Sequence, residues 1–376
     1  MDAIERLFLS NALPCAFTVH TDQGVKRIGD GEPAFAVHLR NGQGMKALQS
    51  LDELTIAEAY IRGDIEIEGD VVRAMWLRNI LSDDNFWLKT WRRLQPILVG
   101  REKLNPRWIA KHYDSGNIQL YCTDREYRAY TPGIYESDDD TLEESTRKKY
   151  DFAFESLRLK PGDEVLDVGH GWGGFIQYCA ERGVRVEGIT LSKDQFGYVT
   201  RMIEEKRLDA SASYQDYFTY RPGKRYDGIS MMGVIEDLSD YPYVLRRIPE
   251  LLKPGGRVYL DFASGKVPFA TSSFITKYVW PGTFRMTYVP ELMAALDRSP
   301  IQLVGLYNDR RNYHLWAKNG HQRWIENREE IVRLAGEETW RLFRLLLAGT
   351  AGVMNDPTYQ VTAYRMVLDL PADVAV

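Results

Sequence analysis

The chain has 376 residues, 44% of them hydrophobic and 27% charged, which is room for about two domains and the balance of a globular protein with a substantial core. Its net charge of −5 argues against generic nucleic-acid binding, and Cys15, Cys122 and Cys179 lack the spacing of a disulfide framework or zinc site. No run of about 18 uncharged apolar residues offers a membrane span, and Asp2 and Glu5 stand where a secretory signal would be basic, so a cytoplasmic location and no bound metal are expected.

From residue 34 to 70 the pattern is short and strand-like. Phe35, Val37 and Leu39 alternate, residues 54–63 follow, and Ile65 and Ile67 alternate with acids as on a half-exposed strand. Residues 71–80 and 86–98 read as helices, and residues 96–106 as the connection to a second domain. The expected division is 1–100 for the first domain with its linker and 101–376 for the second. Between Phe86 and Tyr113, Lys89, Arg92, Arg93, Arg101, Lys103, Arg107 and Lys111 face the single acid Glu102 and are interleaved with Trp87, Trp91 and Trp108. That composition suits a segment lying at a membrane surface. It equally suits a helical arm packing its tryptophans into the neighbouring domain.

The second domain alternates strands at 164–168, 184–189, 226–231 and 257–262 with helices at 175–182, 193–206 and 243–252. Such an order predicts a doubly wound parallel sheet whose ligands bind beyond the carboxyl ends of the strands. The first of these strands runs into Asp167-Val-Gly-His-Gly-Trp-Gly-Gly174. A dinucleotide site needs the G-x-G-x-x-G spacing to seat a pyrophosphate; here an acid precedes the glycines, which suits the amino group of S-adenosylmethionine. Gly169 and Gly171 let the backbone approach a ligand, and Gly173 or Gly174 permits close helix packing. Beyond Phe262 the chain turns aromatic through Phe274, Tyr278, Trp280, Phe284 and Tyr288. An insertion over about 265–350, with a helix at 272–279, is expected to cover the substrate.

With these motifs in place, the chain resembles the cyclopropane fatty acid synthases and their mycolic acid methyltransferase relatives over nearly its whole length. Residues 54–70, His112-Tyr-Asp-Ser-Gly-Asn117, Asp140-Thr-Leu-Glu-Glu144, the glycine turn, Gly188-Ile-Thr-Leu-Ser-Lys-Asp-Gln195, Phe274-Ile-Thr-Lys-Tyr-Val-Trp-Pro-Gly282 and a C-terminal helix around 342–350 carry it, in the family's order. The resemblance implies a class I methyltransferase sheet, a smaller N-terminal α+β lipid-binding domain, and S-adenosylmethionine as cofactor. It implies that Thr190 and Gln195, with Leu191 between them, hold the ribose in place of the usual acid. Tyr130 and Thr131 would lie over the methionine part, Asp167, Gly169 and Gly171 beneath it, and Gln215 and Asp216 near the adenine. Tyr278 and Trp280 would wall the substrate pocket.

The sequence departs from that family at the chemistry. The family's base is a bicarbonate held by a cysteine in the glycine turn, a glutamate after the fourth strand, a histidine after the fifth and a distal tyrosine. Glu236 keeps the glutamate, but His170 replaces the cysteine, Asp261 replaces the histidine, and the tyrosine position falls loosely on Asp309 or Tyr307. Carboxylates around an anion repel it, which makes bicarbonate doubtful. In one outcome His170, paired with Asp261 or Glu236, removes the proton and a cyclopropane forms. In the other, which three altered positions favour, the cation loses its proton elsewhere and a methylene or methyl-branched chain results. The expectation is therefore a peripheral membrane enzyme methylating the double bond of an unsaturated phospholipid acyl chain, with Glu236, His170 and Asp261 as catalytic residues. A natural-product alkene as acceptor, a non-catalytic lipid- or cofactor-binding protein, a homodimer and a partner reductase remain open alternatives.

Overall fold

The computed structural model describes residues 8, 13, 15–83, 90, 117–238, 240–268, 270–280 and 285–373. Strands β1 (Ala16–Thr21), β2 (Gly24–Ile28), β3 (Pro33–Leu39) and β4 (Ile65–Gly69) form a four-stranded sheet in the order β2-β1-β3-β4. Alternation turns Phe17, Val19, Phe35, Val37 and Ile65 into a core shared with Phe8. Helix α1 (Gly42–Ser50) precedes α2 (Glu53–Arg62), which corrects the strand-like reading of 54–63. Asp52 accepts the Thr55 amide hydrogen at 2.8 Å, Gly63 closes the helix with φ of 84°, and Leu54, Ala57 and Ile61 recur at helical spacing on its buried face. The expected helix at 71–80 is a single turn, α3 (Val71–Ala74), continued as a 3₁₀ helix over Met75–Ile80. The Trp- and Arg-rich segment expected at a membrane surface lies outside the described residues.

The second unit is built on a seven-stranded sheet in the order β10-β11-β9-β8-β5-β6-β7. Its strands are β5 (Glu164–Val168), β6 (Arg185–Thr190), β7 (Ala210–Tyr214), β8 (Tyr226–Met232), β9 (Leu252–Gly265), β10 (Gln302–Asn308) and β11 (Val361–Asp369). The five strands from β9 to β7 are parallel, as expected, whereas β11 pairs antiparallel with both β9 and β10. The sheet is therefore parallel-dominant, as expected, and mixed at this edge. Strand β10 is exposed along nearly its whole length, so it carries none of the burial pattern from which its pairing could have been read.

Around the sheet lie α4 (Leu142–Ser156), α5 (Gly174–Ala180), α6 (Lys193–Lys206), α7 (Tyr241–Leu251), α8 (Val289–Leu296), α9 (Arg310–Glu326), α10 (Arg328–Ala335) and α11 (Glu337–Asn355). Helix α4 opens with a capping box between Thr141 and Glu144, which fixes where Lys149 and Tyr150 emerge from it. Helix α11 joins the two units. Its Ala348 enters the core of the four-stranded sheet, while Leu346 and Leu347 pack with Leu54, Ala57 and Ile61 of α2. Arg344 donates to the Tyr60 hydroxyl at 2.8 Å and pairs with Glu66 at 3.3 Å. Among the described residues no helix is long and apolar enough to cross a membrane.

Candidate active site

A cleft opens at the carboxyl ends of β5, β6 and β8, where the strand order reverses between β8 and β6 around the central β5. Tyr130, Thr131, Asp167, Gly169, Gly171, Thr190, Leu191, Gln195, Gln215 and Asp216 all line it. The turn after β5 is shaped by its glycines. Gly171 has φ of +52° and open space where a Cβ would stand, whereas a Cβ on Gly174 would lie 2.2 Å from the Tyr127 carbonyl oxygen. Gly171 thus leaves room in the cleft, and Gly174 lets α5 start against the backbone of Tyr127. At the other side, the Thr190 hydroxyl donates to Gln195 Oε1 at 3.2 Å, and the Gln215 amide donates to the Thr190 carbonyl at 3.0 Å. The end of β6 therefore presents neutral polar groups.

Asp167 is buried beneath the turn, bound by the Ser230 hydroxyl at 2.5 Å, and burial pushes its pKa up to about 7. Burial also raises Glu236 to about 8 and Asp237 to about 7, and raises Asp261. Carboxyl groups crowded into low dielectric resist ionisation until a cation joins them. A ligand carrying an ammonium and a sulfonium meets that need, and with the space above Gly171 the residues fit S-adenosylmethionine.

The catalytic candidates occupy separate settings. His170 donates through Nδ1 to the Gly171 carbonyl at 2.9 Å, its Nε2 is buried without a partner, and burial lowers its pKa to about 4. Asp261 pairs instead with Lys149 Nζ at 3.3 Å, both side chains being almost wholly buried. The expected pairing of His170 with Asp261 or Glu236 is therefore corrected: the ring is held by the turn's own backbone and Asp261 by a lysine. Sequence reasoning missed Lys149, which also donates to the Thr131 hydroxyl at the edge of the cleft. At the loose tyrosine position, Asp309 pairs with Arg365 at 3.2 Å, while Tyr307 is 42% exposed on β10. Bicarbonate does not fit these residues, because Asp261 supplies acceptor oxygens where the family's histidine would donate, and Lys149 is already committed to Asp261.

A second, larger cavity of about 580 Å³ meets the cofactor cleft at Tyr130, Thr131 and Gly233. Of the three catalytic candidates, Glu236 lines it and the other two do not. Glu236 Oε1 accepts the Ala263 amide hydrogen at 2.8 Å, which fixes the carboxyl group, and Oε2 is buried without a partner. Aromatic rings surround this junction: Tyr130 meets Trp316 edge-on at 5.9 Å, and Tyr313 meets Trp316 at 6.0 Å. Of the two expected pocket walls, Trp280 lines the cavity with Phe274, but Tyr278 does not. The expected helix at 272–279 forms as a π-helical turn, Ile275–Val279, and Tyr278 donates its hydroxyl to Glu58 of α2 at 3.0 Å. The changed angular spacing of that turn sends the tyrosine to the seam between the units.

Residues 101–364 match the family described as mycolic acid cyclopropane synthetase, and residues 6–83 match a domain of unknown function. The chain is 25% identical over 361 residues to the probable fatty acid methyltransferase Rv3720 of Mycobacterium tuberculosis, covering 86% of this chain and 84% of that protein. It is 24% identical to the sphingolipid C9-methyltransferase of Komagataella phaffii, covering 84% of this chain and 69% of that one. Among solved structures, mycolic acid cyclopropane synthase CmaA1, complexed with SAH and CTAB, superposes with a TM-score of 0.64 at 20% identity, covering 70% of this chain and 98% of that one. The chain belongs to the mycolic acid cyclopropane synthetase family and is an S-adenosylmethionine-dependent methyltransferase.

Proposed function

We propose that this enzyme methylates the double bond of an unsaturated acyl chain in membrane phospholipid and leaves a methylene or methyl-branched chain. The observation that carries the reading is the apolar cavity that opens onto the cofactor cleft with Glu236 at the junction. An oily chain fits such a cavity, and an internal alkene drawn along it meets both the methyl donor and a fixed carboxyl group. The two relatives above, named for methylating fatty acids and sphingolipids, support a lipid acceptor.

S-adenosylmethionine, when bound, supplies an electrophilic methyl carbon. The alkene's π electrons form the new carbon–carbon bond, and the neighbouring carbon of the chain becomes cationic. The faces of Tyr130, Tyr313 and Trp316 stabilise that charge. A hydride shift from the methyl-bearing carbon moves the charge onto that carbon, Glu236 Oε2 takes a proton from the transferred methyl group, and that carbon–hydrogen bonding pair becomes the double bond of the methylene product. A pKa near 8 makes this carboxylate a stronger base than an exposed one. The favoured outcome is methyl transfer without ring closure, because His170 lines the cofactor cleft alone and Asp261 is paired with Lys149.

Incubation with dioleoylphosphatidylglycerol vesicles and a methyl-labelled donor is expected to place label in the acyl chain, with vinylidene signals in its proton NMR spectrum. Upfield cyclopropane protons would replace methylene formation by ring closure, and label confined to a small soluble acceptor would reject the lipid assignment.

A further inference from the structure

The cavity beside Glu236 does not stop within the catalytic unit. It continues into the core of the four-stranded unit, where Val37, Leu48, Ile65, Ala74 and Met75 line it, all of them buried. These five side chains offer hydrocarbon and one thioether. The same cavity also reaches the exposed residues Asn79, Thr358 and Gln360. Beside them Arg78 pairs with Glu53 at 2.8 Å and lies 5.6 Å from the centre of the Tyr359 ring. Arg78 Nε and the Tyr359 hydroxyl are buried there without a hydrogen-bond partner.

An internal double bond held at Glu236 leaves a length of chain on either side of it, and each length needs a route. The two routes differ in chemistry. A polar head pushed among Val37, Leu48 and Ile65 would lose its hydrogen bonds with no replacement, so that branch admits the methyl end alone. The other branch holds donors that lack acceptors and opens to solvent, which suits the oxygen atoms of an ester-linked head. Resting on the functional reading above, we infer that the core of the first unit seats the methyl end of the acyl chain while the head leaves past Arg78 and Tyr359. The depth of that seat then sets which carbon lies at Glu236, and the enzyme counts from the methyl end of its substrate.

Palmitoleoyl and oleoyl chains test this, since they share a Δ9 double bond and differ by two methylenes beyond it. Vesicles of dipalmitoleoyl- and dioleoylphosphatidylglycerol are offered separately, with labelled methyl donor, to the full chain and to Leu48→Phe and Ala74→Leu, each of which shortens the seat. The oleoyl-to-palmitoleoyl rate ratio is expected to fall about tenfold or more in both variants, with affinity for S-adenosylhomocysteine unchanged. Leu48→Ala, which deepens the seat, is expected to raise the same ratio. A ratio unmoved in variants that still bind S-adenosylhomocysteine overturns the inference, even if the overall rate falls. Label absent from both lipids with the unsubstituted enzyme overturns the functional reading, and this inference with it.

Discussion

Glu236 sits where a cation must be welcomed and a proton removed, and its titration carries a prediction. With a pKa near 8 against an ordinary 4.5, it keeps its proton at neutral pH until positive charge arrives. Binding a sulfonium drives that proton off, so affinity for S-adenosylmethionine rises as pH climbs from about 6 to 8, by up to about tenfold per unit, and levels above. S-adenosylhomocysteine, without the sulfonium charge, follows a shallower slope. Calorimetry in buffers of different ionisation enthalpy reads both slopes; equal slopes for the two ligands would refute a charge-linked Glu236. The folded protein itself holds this proton longer than the unfolded chain, so the contribution of Glu236 to stability declines between pH 4.5 and 8.

Lys149 carries a second prediction at the same scale. Its ammonium and Asp261 are buried together, and removing one partner strands the other. Lys149→Met is expected to cost about 3–5 kcal/mol, and adding Asp261→Asn to recover most of it. Denaturant melts of the two single variants and the double variant form the cycle, and additive losses would show that the pair is not coupled. The lysine was not legible in the sequence because its partner lies on β9, far along the chain, and a lysine within a helix ordinarily belongs to a solvated face. Asp167 and Gly171 were legible because each acts within a few residues of a strand end, where local spacing places it, and Thr190 was legible through the family resemblance.

At the level of elements, the turn between β5 and α5 separates packing from ligand space. Gly174→Ala pushes a methyl into the Tyr127 backbone and is expected to lower stability by about 1–3 kcal/mol. Gly171→Ala meets no atom but forces a left-handed φ on alanine and adds a methyl to the cleft. It should cost about 1 kcal/mol in stability and weaken S-adenosylhomocysteine binding more than Gly174→Ala does. Thermal melts and binding titrations of the two variants separate the roles, and equal effects on binding would reject the division. The π-helical turn at Ile275–Val279 shows the converse limit. Its composition announced aromatic packing, but the direction of Tyr278 depended on a hydrogen-bond register that composition does not specify.

Across the whole molecule, α11 makes the four-stranded unit a wall of the active site. Arg344 reaches across the seam to Tyr60, Glu66 and the Ile67 carbonyl. Arg344→Met is expected to destabilise the protein by about 2–3 kcal/mol and to lower activity on vesicle lipid more than affinity for S-adenosylhomocysteine. Loss of both to the same degree would mean that the seam does not shape the lipid cavity. The sequence by itself determined the parallel half of the sheet and the methyl-donor turn, since each is written in periodicity or in a few adjacent residues, and its resemblance to the family pointed to the candidate glutamate. Tertiary structure alone decided the antiparallel edge, the separation of His170 from Asp261, the Lys149 ion pair and the apolar cavity shared by both units. These depend on which distant surfaces meet once apolar area is buried, and local sequence does not fix that choice.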